Sequence, residues 1–266
     1  MVLEGRPVRD VPMPICESHP QRLHYELTGE ATGAGARVVL LHHGTASLQS
    51  WQKLASRLTD SWCVVAYDRP GFGGSGPVEA WGHEYHRQDA VNLIALLDAL
   101  GIDRATLIGH SDGATAALLA AAQHPGRILG VVAEAPHVSV EVPRCPDAVE
   151  HVYQQICGST KALESVRRHH GDKGMAVLDR WRQRWCDPSF WDWDVSMELP
   201  AIQYPTLVIH GIDDPFFSVA HAEMIARSIA ESELWKLAGA QHQPHVEAFE
   251  AYTDRVVGFL RNLECT

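Results

Sequence analysis
The 266-residue sequence predicts one large α/β domain built on a mostly parallel central sheet flanked by helices. Three observations point there. Apolar runs such as Arg37-Val38-Val39-Leu40-Leu41-His42-His43 and Cys63-Val64-Val65-Ala66-Tyr67-Asp68 lack the alternation of a half-exposed strand, so both faces should be buried. Helical segments separate these runs, as right-handed strand–helix–strand crossovers require. Finally, Thr106-Leu107-Ile108 passes through Gly109-His110-Ser111-Asp112-Gly113 straight into an alanine- and leucine-rich helical run. Strand, sharp turn and helix are compressed there into a few residues, with a serine at the apex.

Taken in order, residues 1–20 are polar and proline-bearing and read as a tail or an early edge strand, and 22–28 alternate weakly, as a strand would. A Gly-rich stretch over 29–36 turns the chain into the first buried run, after which Ser47 can cap a helix over about 48–58. The second buried run leads into Arg69-Pro70-Gly71-Phe72-Gly73-Gly74-Ser75-Gly76, where 71–76 match Gly-x-Gly-x-x-Gly. That dinucleotide fingerprint needs a helix opening on its glycines, so that free amides meet a pyrophosphate. Pro77 and a polar stretch to Gly82 follow instead, which argues against a nucleotide. Residues 84–100 place Ala90, Leu93, Ile94, Leu97 and Leu100 at helical spacing, and Gly101 stops that helix. After the serine turn, a helix to about Gln123 ends at Pro125-Gly126, and Ile128-Leu129-Gly130-Val131-Val132-Ala133-Glu134 is another buried strand.

At Pro136 the rhythm breaks. Residues 137–200 hold helical segments, no buried strand, and four tryptophans: Trp181, Trp185, Trp191 and Trp193. An insertion of this length between sheet strands is expected to be a helical lid. The domain reading is a core of 1–136 and 201–266 carrying a cap of 137–200. Strands resume at Thr206-Leu207-Val208-Ile209-His210 and at 234–237, with helices over about 219–230 and 246–263.

Composition narrows the function. A formal charge of -11 argues against nucleic acid or an anionic membrane surface as partner. No apolar run approaches a membrane span, and Met1-Val2-Leu3-Glu4-Gly5-Arg6 has no signal-peptide core, so the expected location is the cytoplasm. Cys16, Cys63, Cys145, Cys157, Cys186 and Cys265 are scattered, which fits reduced thiols better than a disulfide frame or a zinc site. Sixteen histidines invite a metal reading, but His42-His43 and His169-His170 are adjacent and point to different sides of their element. The expectation is a small-molecule substrate, with no metal and no cofactor.

Gly109 and Gly113 stand where side chains would collide with the adjoining strand and helix, and Ser111 should hold a strained conformation that lifts its Oγ above the sheet edge. Together, His43-Gly44, Asp68-Arg69-Pro70-Gly71-Phe72-Gly73-Gly74-Ser75, the serine turn, Gly211-Ile212-Asp213-Asp214 and Gly239-Ala240-Gln241-His242-Gln243-Pro244-His245 resemble the α/β-hydrolase superfamily over about residues 22–263. The Ser-Asp-Gly elbow looks most like the branch of valacyclovir-hydrolase-like enzymes and relatives of the meta-cleavage-product hydrolases. Glu134-Ala135-Pro136-His137-Val138 and the segment from Trp181 to Trp193 are also similar to a group of bacterial hydrolases. Two departures stand out. Gln241 replaces the usual glycine before the catalytic histidine, and His43-Gly44-Thr45-Ala46-Ser47 lacks the Gly-Pro run of carbon–carbon bond hydrolases.

The resemblance implies Ser111 as nucleophile, His242 as its base and Asp214 as the acid that orients the histidine, with Glu134 as the alternate acid. Amides of Thr45 and Asp112 would form the oxyanion hole, while His110 and His245 would be structural. Trp181 and Trp185 would line a substrate pocket, or else staple the lid to the body. The Asp112 carboxylate either turns away into a hydrogen-bonded turn or selects a cationic group on the substrate. The activity implied is cleavage of a small carboxylic ester, thioester or related acyl bond through an acyl-enzyme. Alternatives on the same scaffold are carbon–carbon bond hydrolysis, a cofactor-free lyase, or a non-catalytic small-molecule receptor.

Overall fold
The computed structural model describes residues 9–12, 22–29, 37–78 and 81–264. Eight strands form one sheet: β1 (Arg9–Pro12), β2 (Arg22–Thr28), β3 (Arg37–Leu41), β4 (Cys63–Tyr67), β5 (Ala105–His110), β6 (Ile128–Glu134), β7 (Thr206–Gly211) and β8 (Ser232–Leu237). Their spatial order is β1-β2-β4-β3-β5-β6-β7-β8. β1 and β2 run antiparallel at one edge, and β4, β3, β5, β6, β7 and β8 are mutually parallel. The continuous apolar runs became the interior strands: β4, β5 and β7 are buried at every residue. β2, one strand in from the β1 edge, and the edge strand β8 are half exposed. The early edge strand expected within 1–20 is present as β1; the remainder of that stretch lies outside the described residues.

The strand order reverses at β3, because the chain leaves it for β4 on one side and returns to β5 on the other. A crevice opens beyond the carboxyl ends of β3 and β5 at such a switch point. His43-Gly44 and Ser111 follow those two ends.

Helices cover both faces. On one face lie α1 (Gln52–Leu58) and, after the last strand, α8 (Pro244–Glu247) and α9 (Phe249–Glu264), with Trp51, Leu54, Tyr252 and Val256 packed on the sheet. On the other lie α2 (Tyr85–Ala99), α3 (Asp112–Gln123) and α7 (Val219–Ser228). Ten consecutive residues of α3, from Asp112 to Ala121, are buried, which explains its alanine content: small side chains let it sit between sheet and α2. Two expected helices differ in detail. The segment 48–58 begins as a 3-10 turn over Leu48–Trp51, because the Leu48 amide is drawn to the Asp68 carboxylate at 2.8 Å. The closing helix is broken at Ala248 into α8 and α9, since the Glu247 side chain turns back onto the loop before it. Between β6 and β7 the chain forms α4 (Arg144–Cys157), α5 (Thr160–His170), α6 (Gly174–Cys186) and short 3-10 turns, closed at the neck by a bridge between Ser139 and Asp194.

The turn from β5 to α3 depends on backbone contact. A β-carbon at Gly113 would lie 2.3 Å from the Leu41 carbonyl oxygen, and one at Gly109 2.3 Å from that of Gly113. Gly113→Ala is expected to cost about 2–3 kcal/mol of stability through overpacking. Gly258→Ala, in α9 where a β-carbon meets nothing within 4 Å, should instead be neutral or gain up to about 1 kcal/mol. Urea unfolding of the two variants checks the contrast.

Candidate active site
Ser111 has φ 55° and ψ -120°, a region that side-chain-bearing residues seldom occupy. Its amide donates to the Glu134 carbonyl at 2.9 Å, tying the turn to the end of β6. The loop after β7 supplies Asp214, whose Oδ1 accepts the amides of Phe216 at 2.8 Å and Phe217 at 3.2 Å, an Asx-type turn that fixes the carboxylate. The loop after β8 supplies His242. Its Nδ1 donates to Asp214 Oδ2 at 2.7 Å, so Nε2 carries the lone pair and accepts from Ser111 Oγ at 3.0 Å. Phe216 packs on the imidazole with ring centroids 4.6 Å apart.

Electrostatics match this line. Burial alone would lower the His242 pKa, but the Asp214 charge and hydrogen bond raise it above the usual 6.5. Burial works upward on the Asp214 carboxyl, yet the charge and hydrogen bond of His242 bring it down to about 2. The histidine loop is clamped from two sides. His110 Nε2 donates to the His242 carbonyl at 2.7 Å, and the Glu247 carboxylate accepts the amides of Gln241 and Gln243 that flank it. Gln241 thus contributes through its backbone, which any residue can offer.

Glu134, the alternate acid, lies beside His245 and not in hydrogen-bond contact with His242. Its Oε1 accepts both the amide of His245 at 2.9 Å and Nδ1 at 2.8 Å. Asp112 sends its carboxylate inward, 1% exposed. There Oδ1 faces the Tyr85 hydroxyl at 3.1 Å, His137 Nε2 at 3.2 Å and His86 Nε2 at 3.3 Å, with Arg69 Nη2 3.6 Å from Oδ2. Burial pushes the Asp112 carboxyl up, but His137, His86 and Arg69 hold it well below its ordinary value. A second carboxylate, Asp89, grips Arg69 at 2.5 Å, and burial raises it to about 6. Of this network the sequence singled out Asp112 as a site candidate, and placed Arg69 and His137 only within family-like segments. His86 was readable at most as a polar residue inside an apolar segment.

A cavity of about 210 Å³ is lined by Ser111, His242, Thr45, Trp181, Trp185 and the Phe216-Phe217 pair, among others. Asp112 is not among its lining residues; its carboxylate faces Tyr85, His86, His137 and Arg69 instead. Gly44 lies close to both that carboxylate and the 137–200 segment: a β-carbon there would lie 2.5 Å from Asp112 Oδ2 and 2.8 Å from Trp181 Cδ1. The Thr45 amide makes a long 3.4 Å contact with His43 Nδ1, and the Asp112 amide opens α3.

The glycine motif at 71–76 spends its amides internally. Gly71 donates to Gly76, Gly73 to His170, Gly74 to Asp68, Ser75 to Phe72 and Gly76 to Arg22, which leaves no cradle for a pyrophosphate. Two buried clusters, His86-Asp112-His137 and His110-Glu134-His245, have metal-ligating atoms within 4.8 Å of one another. These groups bond to protein partners as described, and the Arg69 charge beside Asp112 opposes a cation in the first. Cys63, Cys145, Cys157 and Cys186 are free thiols. No described helix is long and apolar enough to cross a membrane.

A serine elbow, a carboxylate after a later strand and a histidine after the last strand, set at the carboxyl edge of a mostly parallel sheet, define an α/β hydrolase with a serine nucleophile position. The chain belongs to the α/β-hydrolase family, whose model, described as alpha/beta hydrolase fold, matches residues 36–169. It is 36% identical over 263 residues, covering 90% of this chain and 95% of the relative, to the Caulobacter vibrioides protein named "Putative carbamate hydrolase RutD". It is 27% identical over 250 residues, 90% of this chain and 83% of the relative, to human "Serine hydrolase BPHL". Among solved structures, the enol-lactonase of Burkholderia xenovorans LB400 superimposes with a TM-score of 0.70 at 25% identity, covering 91% of this chain and 97% of that one.

Because folding lowers the Asp214 pKa from 3.8 to about 2, its ionised form stabilises the fold. The contribution, about 2 kcal/mol, is full above the ordinary carboxyl range and is lost as pH falls from about 4 towards 2. Asp214→Asn should flatten that part of the acid dependence, read from urea midpoints at pH 7, 4 and 3.

Proposed function
We propose that this chain is a serine hydrolase that cleaves a small carboxylic ester, thioester or related acyl bond through an acyl-enzyme. The observation that carries the reading is His242 placed between Asp214 and Ser111 at hydrogen-bond distance on both sides. A serine hydroxyl is a poor nucleophile at neutral pH and needs such a base. In this reading His242 takes the Ser111 proton during attack on the acyl carbon and returns it to the leaving group. Asp214 holds the tautomer and stabilises the imidazolium. Amides of Thr45 and Asp112 receive the oxyanion, each contributing ~3 kcal/mol to the transition state. A water then repeats the sequence to release the acid.

The cavity supports a small substrate, since about 210 Å³ is below the roughly 300–1,000 Å³ of drug-sized ligand sites. Trp181 and Trp185 supply its apolar wall, and residues 137–200 act as the cap over the core of 1–136 and 201–266. A carbamate, an acyl bond to nitrogen, falls within the class, and the 36% identity to the relative named for that activity favours including it. Carbon–carbon hydrolysis is the weaker reading, because 43–47 lack the Gly-Pro run. The reaction as drawn uses no metal or cofactor, and reduced thiols and an acidic surface suit a cytoplasmic enzyme with a small-molecule substrate and no nucleic-acid or membrane partner.

Fluorophosphonate labelling followed by peptide mass spectrometry should place one modification on Ser111, abolished in Ser111→Ala and His242→Ala. Folded wild-type protein that takes up no label would overturn the reading. Rate against pH should rise with a single acidic limb whose midpoint lies above 6.5, because only neutral His242 accepts the proton. Asp214→Asn should move that midpoint down and cut kcat by about 10⁴-fold.

A further inference from the structure
The acid line of Asp214, His242 and Ser111 leaves one carboxylate unexplained. Glu134 is wholly buried at the end of β6, and its single ion-pair-range partner among the described residues is His245. The groups that face it come from several elements: His110 on β5, His245 on α8 and Tyr252 on α9, with His43 beyond His110 at a ring distance of 4.9 Å. Burial lowers His110 to about 3 and His43 well below its usual value, and burial raises the Tyr252 phenol, so these three stay neutral near pH 7. Burial pushes the Glu134 carboxyl up, but the neighbouring His245 and His110 rings, together with two hydrogen bonds from His245, hold it below its ordinary value. The His110 ring stands 5.0 Å from that of His245 and 5.1 Å from that of His242, and its Nε2 holds the His242 carbonyl. An ionised group sits behind the base, in a dry region where its field is poorly screened.

We propose that Glu134 is a positioning residue for His242: its buried carboxylate, offset by no arginine or lysine in ion-pair range among the described residues, favours the imidazolium that His242 becomes when it takes the serine proton. Glu134 need not touch the substrate for this. His110 and His245 keep the two groups in register, one by holding the His242 backbone and the other by anchoring the carboxylate. The inference rests on the serine-hydrolase reading, in which His242 is the base.

The test compares Glu134→Gln and Glu134→Met, which remove the charge, with Glu134→Asp, which keeps it. Gln retains an oxygen for the His245 donors, and Met serves where Gln does not fold; a cooperative thermal transition certifies each variant. In the neutral variants the acidic limb of fluorophosphonate labelling against pH should move down by about half a unit to one unit, with a plateau about 3–10-fold lower. Glu134→Asp should hold the limb within about 0.2 unit of wild type. A purely structural Glu134 would lower the plateau and leave the limb in place, and that outcome in a folded neutral variant overturns the proposal. Titration of the His242 ring by 15N NMR, assigned against His242→Ala, separates the two ideas. Wild type that never labels removes the hydrolase reading, while a His242 midpoint unchanged between wild type and Glu134→Gln removes this one.

Discussion
The approach of α3 to β3 is the constraint on which the rest of the molecule depends. Gly113 lies so close to the Leu41 carbonyl that a single methyl does not fit, and this contact sets where the helix begins. Because the helix starts there, Ser111 must turn the chain within one residue, at a conformation that costs on the order of 1–3 kcal/mol. The burial of ten successive residues of α3 offsets that strain and holds it in place. The same contact brings the end of β3 beside the elbow, so the 43–45 loop and the serine share one crevice.

Three carboxylates surround this crevice and are kept apart by their partners. Asp214 meets the imidazole of His242, Glu134 meets histidine donors without an arginine or lysine, and Asp112 meets Arg69, Tyr85, His86 and His137. An aspartate beside the serine looks ill-suited to a site for developing negative charge. Here its carboxylate points away from the cavity and is spread over Tyr85, His86 and His137, so its amide remains at the helix N-terminus while its charge is tied up elsewhere. Asp89 completes the arrangement: raised to about 6, it shares Arg69 with Asp112, and the two acids compete for one guanidinium.

What the sequence discloses and what it conceals follows from range. The elbow, the buried strands and the order of Ser111, Asp214 and His242 are legible because each rests on constraints within a few residues: a glycine at a close approach, an apolar run, an acid after a strand. The Asp112 network draws on residues 69, 85, 86, 89, 112 and 137, and no local pattern joins them. The pairing of Glu134 with His245 spans 111 positions, so an acid at the end of β6 is readable as an alternate triad acid. The glycine motif misleads for a related reason. Its spacing describes a tight turn, whereas anion binding depends on free amides, and here Asp68, His170 and neighbouring carbonyls consume them. The break at Ala248 had no signal of its own, because it follows from what Glu247 does to Gln241 and Gln243.

In the proposed reading, substrate size and transition-state stabilisation would be coupled through one residue. Trp181 comes from α6, in the segment between β6 and β7, and lines the cavity while packing against Gly44. The Asp112 carboxylate lies against the same position of Gly44, so the 43–45 loop contacts both α6 and the elbow network. Any movement of α6 that enlarges the cavity withdraws one of the two surfaces that fix the loop. A donor amide is worth about 3 kcal/mol only when it is preorganised at the developing charge. In the proposed reading the 137–200 segment would therefore do more than exclude large ligands: packed over a small acyl group it would complete the setting of the loop, and displaced by a larger one it would leave the loop supported by the Asp112 carboxylate alone.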